Sequence, residues 1–303
     1  VTLALLITGA KGQLGGEIVA QARRAKDVMF SKGIDIEELD LTDPFDVRDY
    51  VQEWVRVVRA DSPRHQIALI NPAAYTAVDK AEEQEELAFA VNATAPALLA
   101  TACADAGVRL IQVSTDYVFP GDGTEPYEPT DPTGPRSAYG RTKLAGEQAV
   151  RELLPDLGYV VRTAWLYGGG GPNFVKTMVR LEKTRETVSV VTDQVGSPTW
   201  AGDLAGGLIS LARSDAPAGI YHGTGQGSTT WFGFTQAIFE ELGADPARVL
   251  PTDSSAFVQA AARPSYSVLS PKAWDGAGLP PFPAWRESLA EAFRVEGDAL
   301  RAG

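Results

Sequence analysis

LALLITGAKGQLGGEIVAQA, residues 3–22, joins an unbroken aliphatic run to an amphipathic stretch through three glycines, Gly9, Gly12 and Gly15. The G-x-x-G-x-x-G spacing follows an apolar strand pattern and opens a helical one over 13–25. Glycine at these positions lets the backbone turn tightly, approach a ligand, and pack the helix onto the sheet. The unpaired N–H groups at the start of that helix, with the positive end of its dipole, suit an anion. The stretch therefore predicts a strand, loop and helix that cradle the pyrophosphate of a dinucleotide. No G-K-[ST] follows, which argues against a Walker-type phosphate loop.

The same rhythm continues outward. Strand patterns near 28–30 and 36–39 precede a helix over 44–59, in which Thr42 and Asp43 are the natural caps ahead of Pro44. A strand over 67–71 precedes a helical 80–105, 108–114 precedes 137–153, and 159–162 closes the series. Nearly continuous apolar strands alternating with helices predict an α/β fold, a Rossmann-like doubly wound parallel sheet covered on both faces. Ligands of such sheets bind beyond the carboxyl ends of the strands. After Gly168 glycines cluster, prolines recur, and helical patterns reappear at 173–184, 203–213, 231–242 and 284–295. A dinucleotide-binding part over 1–168 and a smaller, mostly helical lobe over 169–303 are expected, with some segments of the lobe returning to the sheet.

Composition narrows the function classes. The chain has 303 residues, 44% hydrophobic and 22% charged, which is ordinary for a globular protein. Its uninterrupted apolar runs are too short to span a membrane, so none is expected. A single cysteine, Cys103, provides neither a disulfide framework nor a Cys-built zinc site, and fits a reducing cytoplasm. His65 and His222 are the only histidines, and 39 acidic against 27 basic residues leave a net charge of −12. That balance disfavours a nucleic-acid partner, whose phosphates require clustered Lys and Arg. A small-molecule protein is what remains.

Candidate chemistry lies just after the strand patterns. In SAYGRTKLAGEQ, Tyr139 and Lys143 stand four apart, one turn along one helix face, with Ser137 as cap. A nearby ammonium lowers a tyrosine from its ordinary pKa of about 10, and the pair can then exchange a proton with a carbonyl or alcohol oxygen. Upstream, LIQVSTDYVFPG ends a strand at Ser114 and Thr115, whose hydroxyl is expected in the same crevice. At the end of the second strand pattern, Ser31 and Lys32 fall where a nicotinamide 2′-position is read, and Lys32 would favour NADPH over NADH. Asp40 is placed to accept from an adenine amino group, or to cap a helix. Glycine loop, strand-end hydroxyl and Y-x-x-x-K in this order resemble an extended short-chain dehydrogenase/reductase.

Within that superfamily the chain resembles the dTDP-4-dehydrorhamnose reductase family. The resemblance is carried by TGAKGQLG, NPAAYTAVDKAE, VNATAP, VSTDYVFPGDG, YGRTKLAGE, VVRTAWLYG, NFVKTM, VVTDQVGSPTW and ARPSYSVLS. It implies reduction of dTDP-4-dehydro-L-rhamnose to dTDP-L-rhamnose. Tyr139 would be proton donor, Lys143 its ribose-binding partner, and Thr115 and Asp116 the pair that meets the sugar. Gly12, Gln13 and Leu14 would surround the pyrophosphate, Asp40 and Leu41 the adenine, and Ala73, Ala74 and Tyr75 the cofactor beyond. Trp165 would pack on the sugar, whose methyl group makes no hydrogen bonds, and Arg263 would clamp the substrate diphosphate or pair with a carboxylate. Asn173 and Gln194 are further substrate-side residues, and the loop of Gln194, Gly196 and Thr199 would shape the cleft. Pro72 departs from the family pattern and removes a backbone donor beside the cofactor. Glu17 matches a position linked to a magnesium-bridged dimer in some members; no metal is expected here, and the protein would be a monomer or homodimer. Sibling readings are a reductase of a related dTDP-4-ketohexose, or of a streptose-type product, in an antibiotic pathway, and an epimerase retaining NAD. The non-enzymatic alternative is a regulatory subunit resembling that of methionine adenosyltransferase, against which the intact Thr115, Tyr139 and Lys143 argue.

Overall fold

The computed structural model describes residues 2–257 and 259–302. The first half runs β1 (Leu3–Ile7), α1 (Gln13–Arg24), β2 (Val28–Gly33), α2 (Pro44–Asp61), β3 (Gln66–Asn71), α3 (Val78–Ala81), α4 (Glu85–Phe89), α5 (Ala95–Ala106), β4 (Arg109–Thr115), α6 (Ala138–Leu153) and β5 (Gly158–Thr163). The second half runs β6 (Leu166–Tyr167), α7 (Phe174–Thr184), β7 (Val188–Val191), β8 (Val195–Gly196), β9 (Thr199–Trp200), α8 (Ala201–Arg213), β10 (Ile220–His222), β11 (Thr229–Thr230), α9 (Trp231–Glu241), β12 (Val249–Thr252), α10 (Lys272–Gly276) and α11 (Trp285–Arg301).

Six parallel strands form the main sheet in the order 2-1-3-4-5-10. Strand order reverses between β1 and β3, which opens a crevice at the carboxyl ends of the strands. One face is packed by α1 and α8 together with Trp274 and Phe282; the other is packed by α2, α5 and α6. Chain from beyond Gly168 thus completes the sheet, through α8 and β10. A separate core around Phe234, Val175 and Leu289 holds the lobe together.

Two sequence expectations fail locally. There is no strand at 36–39; the chain turns there instead. The Asp35 carboxylate accepts from the amides of Lys11 and Ile36, and Asp40 accepts from the amide and hydroxyl of Thr42. These side-chain bonds offer the backbone an alternative to a ladder, and β2 is already the sheet edge. The expected helix over 80–105 is interrupted between α3 and α4, at 82–84, and runs on from there. Between α4 and α5 lies a π-helical turn, Ala90–Thr94, where Asn92 turns inward to pair with both backbone groups of Tyr75 and with Thr142. Residues 85–106 are apolar and long enough to cross a membrane, yet half of that stretch is buried within the protein, where α5 packs on α2 and α6. Its apolar character is that of a core helix covered on two sides.

Candidate active site

The carboxyl ends of β1, β3, β4 and β5 open on one cleft of 1240 Å³, roofed by α7, β7 and the segments around 254 and 263. That exceeds the ~300–1,000 Å³ of a single small-ligand pocket. Gly12 precedes α1 as a cap without a side-chain bond, so the first N–H groups of the helix are left for a ligand. Gly9 holds a φ of 55°, and a Cβ on Gly15 would stand 2.1 Å from the Gly9 carbonyl oxygen. The loop closes only because these positions lack side chains.

α6 starts where the sequence places it, with Ser137 Oγ accepting from the Gly140 amide at 3.1 Å. Gly140 lets the helix approach closely: a Cβ there would meet the Tyr117 carbonyl oxygen at 2.3 Å. The approach brings Tyr139 beside Thr115 in the wall of the cleft. Thr115 Oγ1 donates to Asp116 Oδ1 at 2.9 Å, and the ring of Tyr117 stands edge-on to Tyr139. Lys143 is buried, its ammonium donating to the Val113 carbonyl at 2.7 Å.

The electrostatics correct one expectation. Tyr139 is not lowered in the free protein: burial pushes the pKa up to about 12, with the neighbouring Thr115 hydroxyl acting the other way. Burial lowers Lys143 to about 8 and raises Asp116 to about 6, the latter against the hydrogen bond from Thr115 and the nearby Ser267 hydroxyl. Loss of hydration outweighs the neighbouring charges at all three groups. A phenol that keeps its proton suits a donor.

Gly9, Gly12, Gln13, Leu14, Gly15, Asp40, Leu41, Pro72, Ala73 and Ala74 line one part of the cleft; Thr115, Asp116, Tyr139, Lys143, Trp165, Asn173, Gln194 and Arg263 line the remainder. Two expected residues stand elsewhere. Lys32 points away from the cleft, its ammonium 4.9 Å above the Tyr50 ring, because β2 continues to Gly33 and only the residues after it reach the cleft. Tyr75 lies behind the wall, packed with Ala81, Ala88 and Tyr139. Arg263 lines the cleft but is already paired with Asp79 at 2.6 Å, and Asp79 also accepts from the Ala261 amide. Glu17 accepts from Gln21 one turn on, and Gly196 and Thr199 do not line the cleft.

The structure adds residues that the sequence reading missed. At the end of β2 the cleft meets Asp35, and across from it Lys11, whose ammonium pairs with Glu37 at 2.7 Å. Placing the strand end three residues later would have found Asp35. Ser114 Oγ and Thr163 Oγ1 are buried in the cleft wall without a partner, as expected where a ligand supplies the bond. Trp165 has a φ of 48°, an unusual conformation for a bulky residue. Its ring stacks on Trp231 with centroids 3.5 Å apart, over Gly196, where a Cβ would fall 2.4 Å from the indole. Trp231 is itself held by Gln194, which bonds Ser254. Asn173 caps α7 and donates to Gln13 Oε1 at 2.8 Å, joining the lobe to the glycine loop.

A glycine loop, a strand-end hydroxyl and an enclosed tyrosine and lysine on one helix, all at a Rossmann switch point, define a nucleotide-dependent oxidoreductase type of site. The chain belongs to the family described as RmlD substrate binding domain, whose model matches residues 3–296. It is 50% identical over 294 residues to the dTDP-4-dehydrorhamnose reductase of Streptomyces griseus, covering 95% of this chain and 92% of that protein. Identity is 45% to the dTDP-4-keto-6-deoxy-D-glucose reductase of Streptomyces niveus, over 95% and 96% of the two chains. Among solved structures, dTDP-4-dehydrorhamnose reductase from Bacillus anthracis in complex with NADP superposes with a TM-score of 0.87 at 38% identity, covering 97% of this chain and 99% of that one.

Proposed function

We propose that this chain reduces the 4-keto group of dTDP-4-dehydro-L-rhamnose to give dTDP-L-rhamnose, the last step of dTDP-L-rhamnose formation. The observation that favours it most is that Thr115 and Tyr139, with Lys143 one turn on, line the same cleft as the glycine loop. Residues 1–168 would bind mainly NADPH, with NADH as the alternative, and 169–303 mainly the sugar nucleotide. The open amides of α1 and the unpartnered Ser114 and Thr163 hydroxyls fit a dinucleotide. When bound, the reduced nicotinamide supplies the hydride.

The chain's own residues do the rest. Thr115, turning its hydroxyl proton from Asp116, orients the carbonyl oxygen, and Tyr139, which holds its proton at neutral pH, passes it to that oxygen as negative charge develops. Only in the transition state are these donors fully used. Lys143, charged below about pH 8, binds the cofactor ribose and favours the phenolate left behind. Trp165 on Trp231 offers an apolar face to a 6-deoxy sugar, and Arg263 exchanges Asp79 for the substrate diphosphate. The protein acts as a cytoplasmic monomer or homodimer.

The similarity to the Streptomyces niveus enzyme favours a second reading, reduction of a related dTDP-4-ketohexose. NADPH oxidation with dTDP-4-keto-L-rhamnose and with dTDP-4-keto-6-deoxy-D-glucose, followed by NMR of the products, decides between them. Turnover of the first substrate alone upholds the rhamnose reading; no oxidation of NADPH with either overturns both.

A further inference from the structure

Beneath the site lies an ion pair that none of these steps uses. Glu147 stands one turn beyond Lys143, itself one turn beyond Tyr139, so the three share a face of α6. Arg162 on β5 donates through Nε at 2.9 and 3.2 Å and through Nη2 at 2.7 Å to both oxygens of Glu147, and each side chain is only 2% exposed. Its remaining nitrogen donates to the Pro129 carbonyl at 3.3 Å, and its plane lies 4.8 Å over the Phe119 ring. In the sheet Arg162 is the register partner of Ser114, one residue before Thr115. The pair therefore ties the helix of Tyr139 and Lys143 to the strand and segment that carry Thr115 and Asp116.

A fully buried pair is weak ground for stability alone, because desolvation of two ions offsets most of their attraction. Its charges nevertheless act on whatever else is buried nearby. Several elements packed around Lys143 carry ionisable groups, among them Glu82 between α3 and α4, which accepts from the Ala138 amide. The lysine's own helix brings Tyr139 and Glu147, β5 brings Arg162, and the segment after β4 brings Asp116 and Tyr117. His222 of β10, next to Arg162, is kept neutral by burial and by that guanidinium. Glu85 and Asp105, toward the ends of the helical stretch above, are exposed.

Building on the reductase reading, we propose that Glu147 and Arg162 are a charge-balanced positioning pair for Lys143. Glu147 holds the ammonium charged, and Arg162 offsets that charge while fixing Glu147 and the 116–129 segment in place. Burial already brings Lys143 down to about 8, with Glu147 as the charge that opposes the fall. Removing either partner would leave a net buried charge beside the ammonium, of opposite sign in the two cases.

The test is a pH titration of Lys143 by NMR in the whole protein carrying 13C at lysine Cε, with Lys143→Arg to assign the signal. Glu147→Gln should move the midpoint down by about one pH unit and Arg162→Gln up by a similar amount. The alkaline limb of kcat should follow in each. The double variant, neutral and still packed, should return to within about 0.3 unit of the parent. Opposite shifts are not what loosened packing produces. Shifts in the same direction, or midpoints that stay put, overturn the proposal. Should one single variant fail to fold, the other and the double variant keep the contrast. Shifted midpoints in a protein that oxidises no NADPH uphold the pair and refute the reductase reading; an active enzyme with unmoved midpoints does the reverse.

Discussion

Replacing Tyr139 by Phe removes one oxygen and keeps the ring packed against Tyr75 and Ala138. With the phenol pushed up to about 12, roughly one molecule in 10,000 is ionised at pH 8, so nearly every enzyme molecule carries the proton to be donated. Loss of a positioned acid of this kind lowers turnover by about 100–10,000-fold, equivalent to about 3–5 kcal/mol in the barrier. Thr115 is held in place by Asp116 as before. Cofactor affinity should therefore change by less than about threefold, since the glycine loop and Lys143 are untouched. Stopped-flow oxidation of NADPH with saturating dTDP-4-keto-sugar measures the rate, and fluorescence titration of NADPH measures the affinity. A variant that turns over within tenfold of the parent would refute the role of Tyr139. A variant that has lost cofactor binding as well would mean that the hydroxyl serves structure rather than proton transfer.

Because Asp116 sits near 6 and Lys143 near 8, kcat/KM should follow a bell with limbs close to those values and no separate limb from Tyr139 below pH 10; a profile flat from pH 5 to 10 would contradict this. Gly196→Ala should drive the Trp165 ring from its stack on Trp231 and raise KM for the sugar nucleotide by about tenfold with little change in KM for NADPH, checked by steady-state kinetics. Asp35→Ser removes a carboxylate suited to a ribose 2′-hydroxyl and repulsive to a 2′-phosphate, so the NADPH to NADH ratio of kcat/KM should rise about tenfold, and Lys11→Ala should lower it. An unchanged ratio in both variants would place the 2′-position elsewhere.

The sheet was legible because β1, β3, β4 and β5 are buried on both faces, and a residue between two helix layers leaves little choice of side chain. β2 is a half-exposed edge with polar residues, so its end was misplaced, and Lys32 was read where Asp35 stands. Tyr139 and Lys143 were visible as a pair because helix spacing is local. The direction of the tyrosine shift was not, since it depends on enclosure by segments distant in the chain. The Arg162–Glu147 pair and the Trp165–Trp231 stack escaped for the same reason: each joins residues whose meeting only the tertiary fold decides. Arg263 was open between a phosphate and a carboxylate, and Asp79 now shows which partner holds it in the free protein.

The late arrival of α8, β10, Trp274 and Phe282 on the face built by β1 and α1 has a consequence for synthesis. A nascent chain that has released the whole glycine loop and Y-x-x-x-K helix still exposes an apolar surface until Trp274 and Phe282 have emerged. The nucleotide-binding half cannot fold to completion on the ribosome ahead of the remainder. A fragment ending near residue 168 should accordingly be captured by chaperones or aggregate, and a frameshift late in the gene would cost cofactor binding as surely as one near its start.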